Sequence, residues 1–270
     1  MKKKRLHLPK IGGFSPTKRQ RFILSVGMLS AGLFIAEQLF GKSGFYISIV
    51  LSFAAVLFFI GCEYQDIKNN YSLYIFALPI FLFTLSIGLF YFLIPSRVLT
   101  RLSLTALYAL GLYSLYLSQN IFIVASLRTI PLLSGARIVS FVTTFFSYLL
   151  LCIVVFSLRL PLFLTTIVIF IFSFIAVFQS IAISYEKSIK KSLLWVTALS
   201  LCLVELTVIL WFWPTTPTMI AIFLSVFFNT IVGLSRVWLE KRLFRGVLWE
   251  YIWMAVIVFF IFIAFSSWRG

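Results

Sequence analysis

Apolar runs of about twenty residues recur along the chain, separated by short polar connections that carry turn chemistry at Gly41-Lys-Ser-Gly44, Pro95-Ser96, Pro161 and Pro214-Thr-Thr-Pro217. A run of that length crosses a hydrocarbon core of ~30 Å as one helix. The pattern predicts nine spans, at about 22–40, 45–62, 72–94, 102–124, 138–158, 162–185, 193–213, 217–235 and 248–268. The expected fold class is therefore all-α: a polytopic transmembrane helix bundle forming a single membrane domain over 22–270, behind a basic tail over 1–21. The tail opens with Lys2-Lys3-Lys4-Arg5, as a signal peptide does. Its first apolar run starts only near Phe22 and has full span length, which predicts an uncleaved first span. No internal repeat is evident.

The polar positions orient the bundle. With the N-terminus cytoplasmic, 18 of the 23 Lys and Arg fall on the cytoplasmic side and 5 on the other, and that bias predicts an N-in, C-out chain. Removing the span at 102–124, the most polar of the nine, would flip every later loop and destroy the bias. Tryptophan agrees, since its amphipathic ring favours the headgroup level. Trp195, Trp238, Trp249 and Trp253 lie near one predicted boundary, and Trp211, Trp213 and Trp268 near the other. The compact loops fit a bacterial plasma membrane.

Composition then changes the picture in two respects. Of the 270 residues 62% are hydrophobic, and the 32 Phe exceed what a soluble core of this length can bury. The formal charge of +16 first points to nucleic acid, but the cations cluster at the ends of apolar runs, so anionic lipid headgroups are the expected partners and nucleic acid is not. Arg128, Arg137, Arg236, Arg242 and Arg245 converge on the predicted cytoplasmic leaflet and are the candidate anionic-lipid contacts.

Candidate chemistry is sparse. The single His, His7, lies in the tail, which removes histidine as an intramembrane base or ligand. Cys62, Cys152 and Cys202 have neither disulfide nor metal spacing. Glu63 and Asp66 form a carboxylate pair at the inner end of the second span, expected to be a solvated loop rather than a Mg²⁺ site. The predicted outer loops hold no acidic residue, which argues against glycosyl transfer from a polyprenyl phosphate. No catalytic residue, metal site or cofactor is expected.

Glu205 is the anomaly. It stands 13 residues after Ser192, ~20 Å along a helix and slightly beyond the bilayer midplane, where a carboxyl is costly. Ala198 and Cys202 share its helical face, and small residues favour close helix contact, so Glu205 is expected to point into the bundle. Ser225, Tyr108 and Arg101 are its expected companions in a polar intramembrane site. Glu37, near the outer end of the first span and about one turn from Lys42, is a lesser candidate. Two roles stay open for Glu205: a proton-coupled or substrate-contacting acid, and an interhelical hydrogen bonder. Gln179 and Asn229 read as interhelical hydrogen bonders.

The connection from Gln119 to Arg137 is long for this chain, amphipathic after Ser126 and interrupted by Pro131 and Gly135. It is expected to lie along the inner interface, with Arg128 and Arg137 near lipid phosphates. Its run Asn120-Ile-Phe-Ile-Val-Ala-Ser-Leu-Arg-Thr-Ile-Pro-Leu-Leu133 resembles a segment of uncharacterised multi-span membrane proteins of bacterial genomes, a domain of unknown function. The resemblance implies no activity. From the residues, the chain reads as a small transporter or lipid-handling membrane protein, with a non-enzymatic scaffold or subunit of a larger membrane complex as the alternative and an enzyme third. Whether its partner is a second copy or another membrane protein stays open.

Overall fold

The expected apolar runs become nine α-helices in a computed structural model, which describes residues 17–40, 44–67, 76–94, 97–127, 132–182 and 189–266. They are α1 (Lys18–Phe40), α2 (Gly44–Ile67), α3 (Leu78–Tyr91), α4 (Val98–Leu127), α5 (Leu133–Ser157), α6 (Leu162–Ala182), α7 (Ile189–Trp211), α8 (Pro217–Leu239) and α9 (Arg245–Ala264). No strand occurs among the described residues. Among the described residues seven helices, all but α1 and α3, are long and apolar enough to cross a membrane. The fold is a helical bundle of membrane-protein character.

Consecutive helices run antiparallel. Lys18 meets Glu63, Arg137 meets Glu240 and Trp195 meets Trp238 at one end, here called the near end. Arg101 meets Tyr91, and Trp213 meets Ser266, at the far end.

The third helix departs from its predicted length. The run at 72–94 yields a helix of 14 residues, a rise of only about 21 Å. Pro79 starts it, because the ring is tolerated only in a first turn, and tightened i to i−3 bonds at Phe92, Leu93 and Ile94 finish it. This short helix is nearly all buried, with protein rather than lipid around it. Ile80, Phe83, Ile87 and Tyr91 face a packed group made with α1, α2 and α4. On its other side, Leu82, Leu85 and Leu89 join a group made with α5 to α9. The two halves of the bundle are thus joined through opposite faces of α3.

Lipid tails are as apolar as leucine, so the helices are held by close packing and hydrogen bonds rather than by expulsion of water. Glycine sets the tightest approach. A Cβ on Gly88 would come within 2.8 Å of Ser48, and one on Gly111 would overlap the Phe83 ring. Small residues in α1 do not all pack: Ser25 is buried, but Gly27 and Ala31 face outward.

The long connector is also corrected. Helix α4 continues to Leu127 and α5 begins at Leu133, so most of the predicted interfacial segment is helical, and 128–131 lie outside the described residues. Arg137 belongs to the second turn of α5, and Arg128 lies outside the described residues.

Candidate functional site

Most polar side chains in these helices are satisfied by their own backbone. Ser52, Ser86, Ser147, Thr207 and Ser225 each donate to a carbonyl three or four residues earlier, the economical solution in hydrocarbon. The informative groups are those that bond between helices, and they concentrate at the near end of α5.

Arg137, Ser140, Phe141 and Thr144 follow one another at helical spacing on α5, and with Gln179 and Ser180 of α6 and Arg236 of α8 they line one pocket. Gln179 Nε2 donates to Thr144 Oγ1 at 2.7 Å, and Gln119 Nε2, from α4, donates to Ser140 Oγ at 3.1 Å. Thr144 Oγ1 in turn donates to the Ser140 carbonyl at 2.8 Å. The Arg236 guanidinium lies over the Phe141 ring at 5.1 Å from its centroid, within cation–π range. Arg137 Nη1 stands 3.7 Å from Glu240 Oε1, an electrostatic pair too long for a hydrogen bond. Two turns deeper than Ser140 on α5, Tyr148 bonds Ser173 at 2.8 Å and stacks on Phe228 at 4.5 Å.

Several polar atoms at this end have no bond to a described residue. Arg137 Nε, Gln179 Oε1, Gln119 Oε1 and Asn120 Oδ1 are all buried and unpartnered among the described residues. Leaving such groups unmatched costs ~1–3 kcal/mol each. The space between the lining side chains is about 10 Å³, the size of one water. With two guanidiniums and one carboxylate at its rim, the pocket favours an anion, and its hydroxyls and amides provide directed contacts behind the charges.

The residues predicted around Glu205 do not assemble. Glu205, Cys202 and Ala198 do share a face, as expected, but all three are exposed on the outside of the bundle. The reason is helical phase. The packed stripe of α7 is Val196, Ser200, Leu203, Thr207 and Leu210, all buried, and Glu205 falls two residues from both Leu203 and Thr207, about 200° away. Ser225 is fully buried on α8 and bonds its own helix at Ala221. Tyr108 is fully buried in the other half of the bundle, against Thr84 at 3.4 Å. Arg101 is half-buried at the far end over Tyr91, and the Glu37 side chain lies outside the described residues.

The carboxylate expected in a solvated loop is also placed differently: Glu63 is fully buried, with Lys18 Nζ at 3.3 Å. Among the described residues no group of three or more His, Cys, Asp or Glu is disposed to hold a metal.

Of the predicted lipid contacts, Arg137 and Arg236 meet in the pocket, while Arg242 and Arg245 are exposed at the turn between α8 and α9, at the same end. Gln179 bonds between helices as its sequence context predicted, and Asn229 reaches Met254 Sδ of α9 at 3.6 Å. Sequence reasoning missed Gln119, Ser140 and Thr144. An available signal was the pair of amides, Gln119 and Gln179, within apolar runs close to the same predicted boundary.

No curated protein and no solved structure matches the chain. A family model described as Protein of unknown function (DUF5656) matches residues 121–265, more than half of the 270 residues. That stretch contains every residue lining the pocket, together with Glu205, and leaves out Glu37, Arg101 and Tyr108. The chain, whose described residues form a helical bundle with seven helices fit to cross a membrane, therefore belongs to the DUF5656 family.

Proposed function

We propose that this is a lipid-handling protein of the plasma membrane that holds the anionic headgroup of a lipid at the near end of the bundle, with the phosphate on Arg137 and Arg236. The observation that carries the reading is the convergence of those two guanidiniums from α5 and α8 on one pocket backed by buried hydroxyls and amides. An arginine fork matches phosphate oxygens, and charge-assisted bonds of this kind are roughly twice as strong as neutral ones. Arg242 and Arg245 supply a further positive rim at the same end, each worth ~1 kcal/mol of attraction to an anionic surface. The Lys and Arg bias supports a cytoplasmic setting for this end, where anionic lipids face the pocket.

Two measurements test the reading. Native mass spectrometry of the full chain should retain anionic phospholipid in preference to a zwitterionic one, and Arg137→Gln with Arg236→Gln should abolish the preference. Equal retention by the parent overturns the proposal. In a background lacking Cys62, Cys152 and Cys202, a cysteine at Thr216 should react with an impermeant thiol reagent on intact cells, and one at Arg242 only after permeabilisation. The reverse pattern removes the cytoplasmic setting.

A second reading, a subunit or scaffold of a larger membrane complex, is supported by Glu205. It shares an outward face with Ala198 and Cys202, which another helix can approach closely. This reading predicts a change of oligomeric state in Glu205→Leu, seen as a shift in mass of the detergent-solubilised protein. An unchanged mass leaves it without support.

A further inference from the structure

The pocket holds a directional acceptor that a bare phosphate does not satisfy. Thr144 has one hydroxyl proton, and its 2.8 Å bond to the Ser140 carbonyl takes it. Thr144 Oγ1 therefore faces Gln179 as an acceptor, so the amide nitrogen of Gln179 must point at Thr144, as its 2.7 Å bond records. This fixes the amide orientation and turns the carbonyl oxygen Gln179 Oε1 the other way. That oxygen is buried, with no donor among the described residues, on a side chain that is 1% exposed and lines the pocket. It needs a hydrogen-bond donor. The space available is that of one water, too small for a phosphate but sufficient for a single hydroxyl.

Resting on the headgroup reading above, we infer that the pocket selects anionic lipids whose headgroup carries a free hydroxyl beside the phosphate, the class of phosphatidylglycerol. The phosphate oxygens stay at the mouth, where Arg137 and Arg236 carry the charge and Arg137 Nε is an unused donor. A headgroup hydroxyl enters the narrow space and donates to Gln179 Oε1. The narrowness of that space excludes a bulky headgroup. A site built to bond a hydroxyl rejects the analogue lacking it, because its polar group is then left unpaired.

The discriminating pair of ligands is phosphatidylglycerol and phosphatidylpropanol, which share chains and charge and differ only in the headgroup hydroxyls. Binding of each to the full chain in nanodiscs is measured by competition against a fluorescent anionic lipid. The parent should bind phosphatidylglycerol about tenfold more tightly, the ratio of one good hydrogen bond. Gln179→Met should bring the two within about twofold of each other while leaving phosphatidylpropanol binding in place. The Arg137→Gln, Arg236→Gln double variant should lose both. Equal binding of the two lipids by the parent overturns the inference, with water as the occupant of the space, and needs no variant to fold. Failure of either lipid to bind overturns the headgroup reading itself. Displacement by free glycerol 3-phosphate at the lipid's own concentration would reassign the site to a soluble phosphate ester, and no displacement supports the lipid.

Discussion

Glu205 and Gln179 are both hydrogen-bonding side chains set in apolar helices, yet they end in opposite surroundings. Gln179 is buried between α5 and α6 on Thr144, beside two arginines. Glu205 stands exposed on the outer surface of α7, on the face turned away from the packed stripe. The depth of a polar residue along a span sets its cost in hydrocarbon, but its phase around the helix decides whether protein or lipid bears that cost. On α7 both faces contain small residues: Ser200 and Thr207 inward, Ala198 and Cys202 outward. Small size alone therefore does not distinguish the packed side from the open one. The inward stripe recurs unbroken over five positions from Val196 to Leu210, whereas the stripe carrying Glu205 also contains Leu201, Ile209 and other exposed apolar residues.

Substitutions on the two sides should separate these surroundings, beginning with the pocket. Each charge-assisted bond to a phosphate contributes ~1.5–3 kcal/mol. Arg137→Gln with Arg236→Gln should therefore weaken anionic-lipid binding by on the order of 100-fold or more in a liposome competition assay. Glu205→Leu should leave that binding unchanged. Identical losses from the two changes would mean that Glu205 and the pocket form one site, against their placement in the fold.

Glu205 itself should respond with the opposite sign to a buried interhelical group. If it faces lipid, Glu205→Leu should stabilise the isolated chain by about 2 kcal/mol, since the substitution removes a costly polar group from hydrocarbon. An interhelical Glu would instead lose ~0.6 kcal/mol, up to about 2. Reversible unfolding in mixed micelles reads the sign directly.

The two faces of α7 offer a matched test. Ser200→Leu places a large side chain in the packed stripe and should cost ~1–3 kcal/mol by overpacking. Cys202→Leu, two residues on and outward, should change stability by less than about 0.5 kcal/mol. Equal effects would contradict the assigned rotation of the helix.

Gln179→Leu should also have only a small effect on stability. It deletes the bond to Thr144, worth ~0.6 kcal/mol in a membrane bundle and up to about 2, and it also removes the unpartnered Oε1, which offsets part of the loss. A thermal-melt series in detergent should place it below Ser200→Leu.

What the sequence by itself determined was the class of fold: nine apolar runs, each bounded by turn chemistry or cations, became the nine helices of the described residues, in the predicted order. Those signals are local, because a run of twenty apolar residues satisfies its own backbone as a helix whatever surrounds it. Pro79 shows where a local rule was available and overlooked, since it marks the start of α3 and so its short length. Membership of a family of unknown function was legible too, from a segment overlapping the matched residues 121–265. The tertiary structure alone decided which polar residues meet. Arg137 and Arg236 stand 99 residues apart in the chain, and Gln119, Thr144 and Gln179 lie on three different helices, so no spacing in the sequence joins them. Their convergence depends on which helices are neighbours and how each is rotated about its axis. That rotation is set by the sum of many weak contacts, such as Tyr148 on Phe228 and Phe83 against Gly111, which no single run of sequence contains.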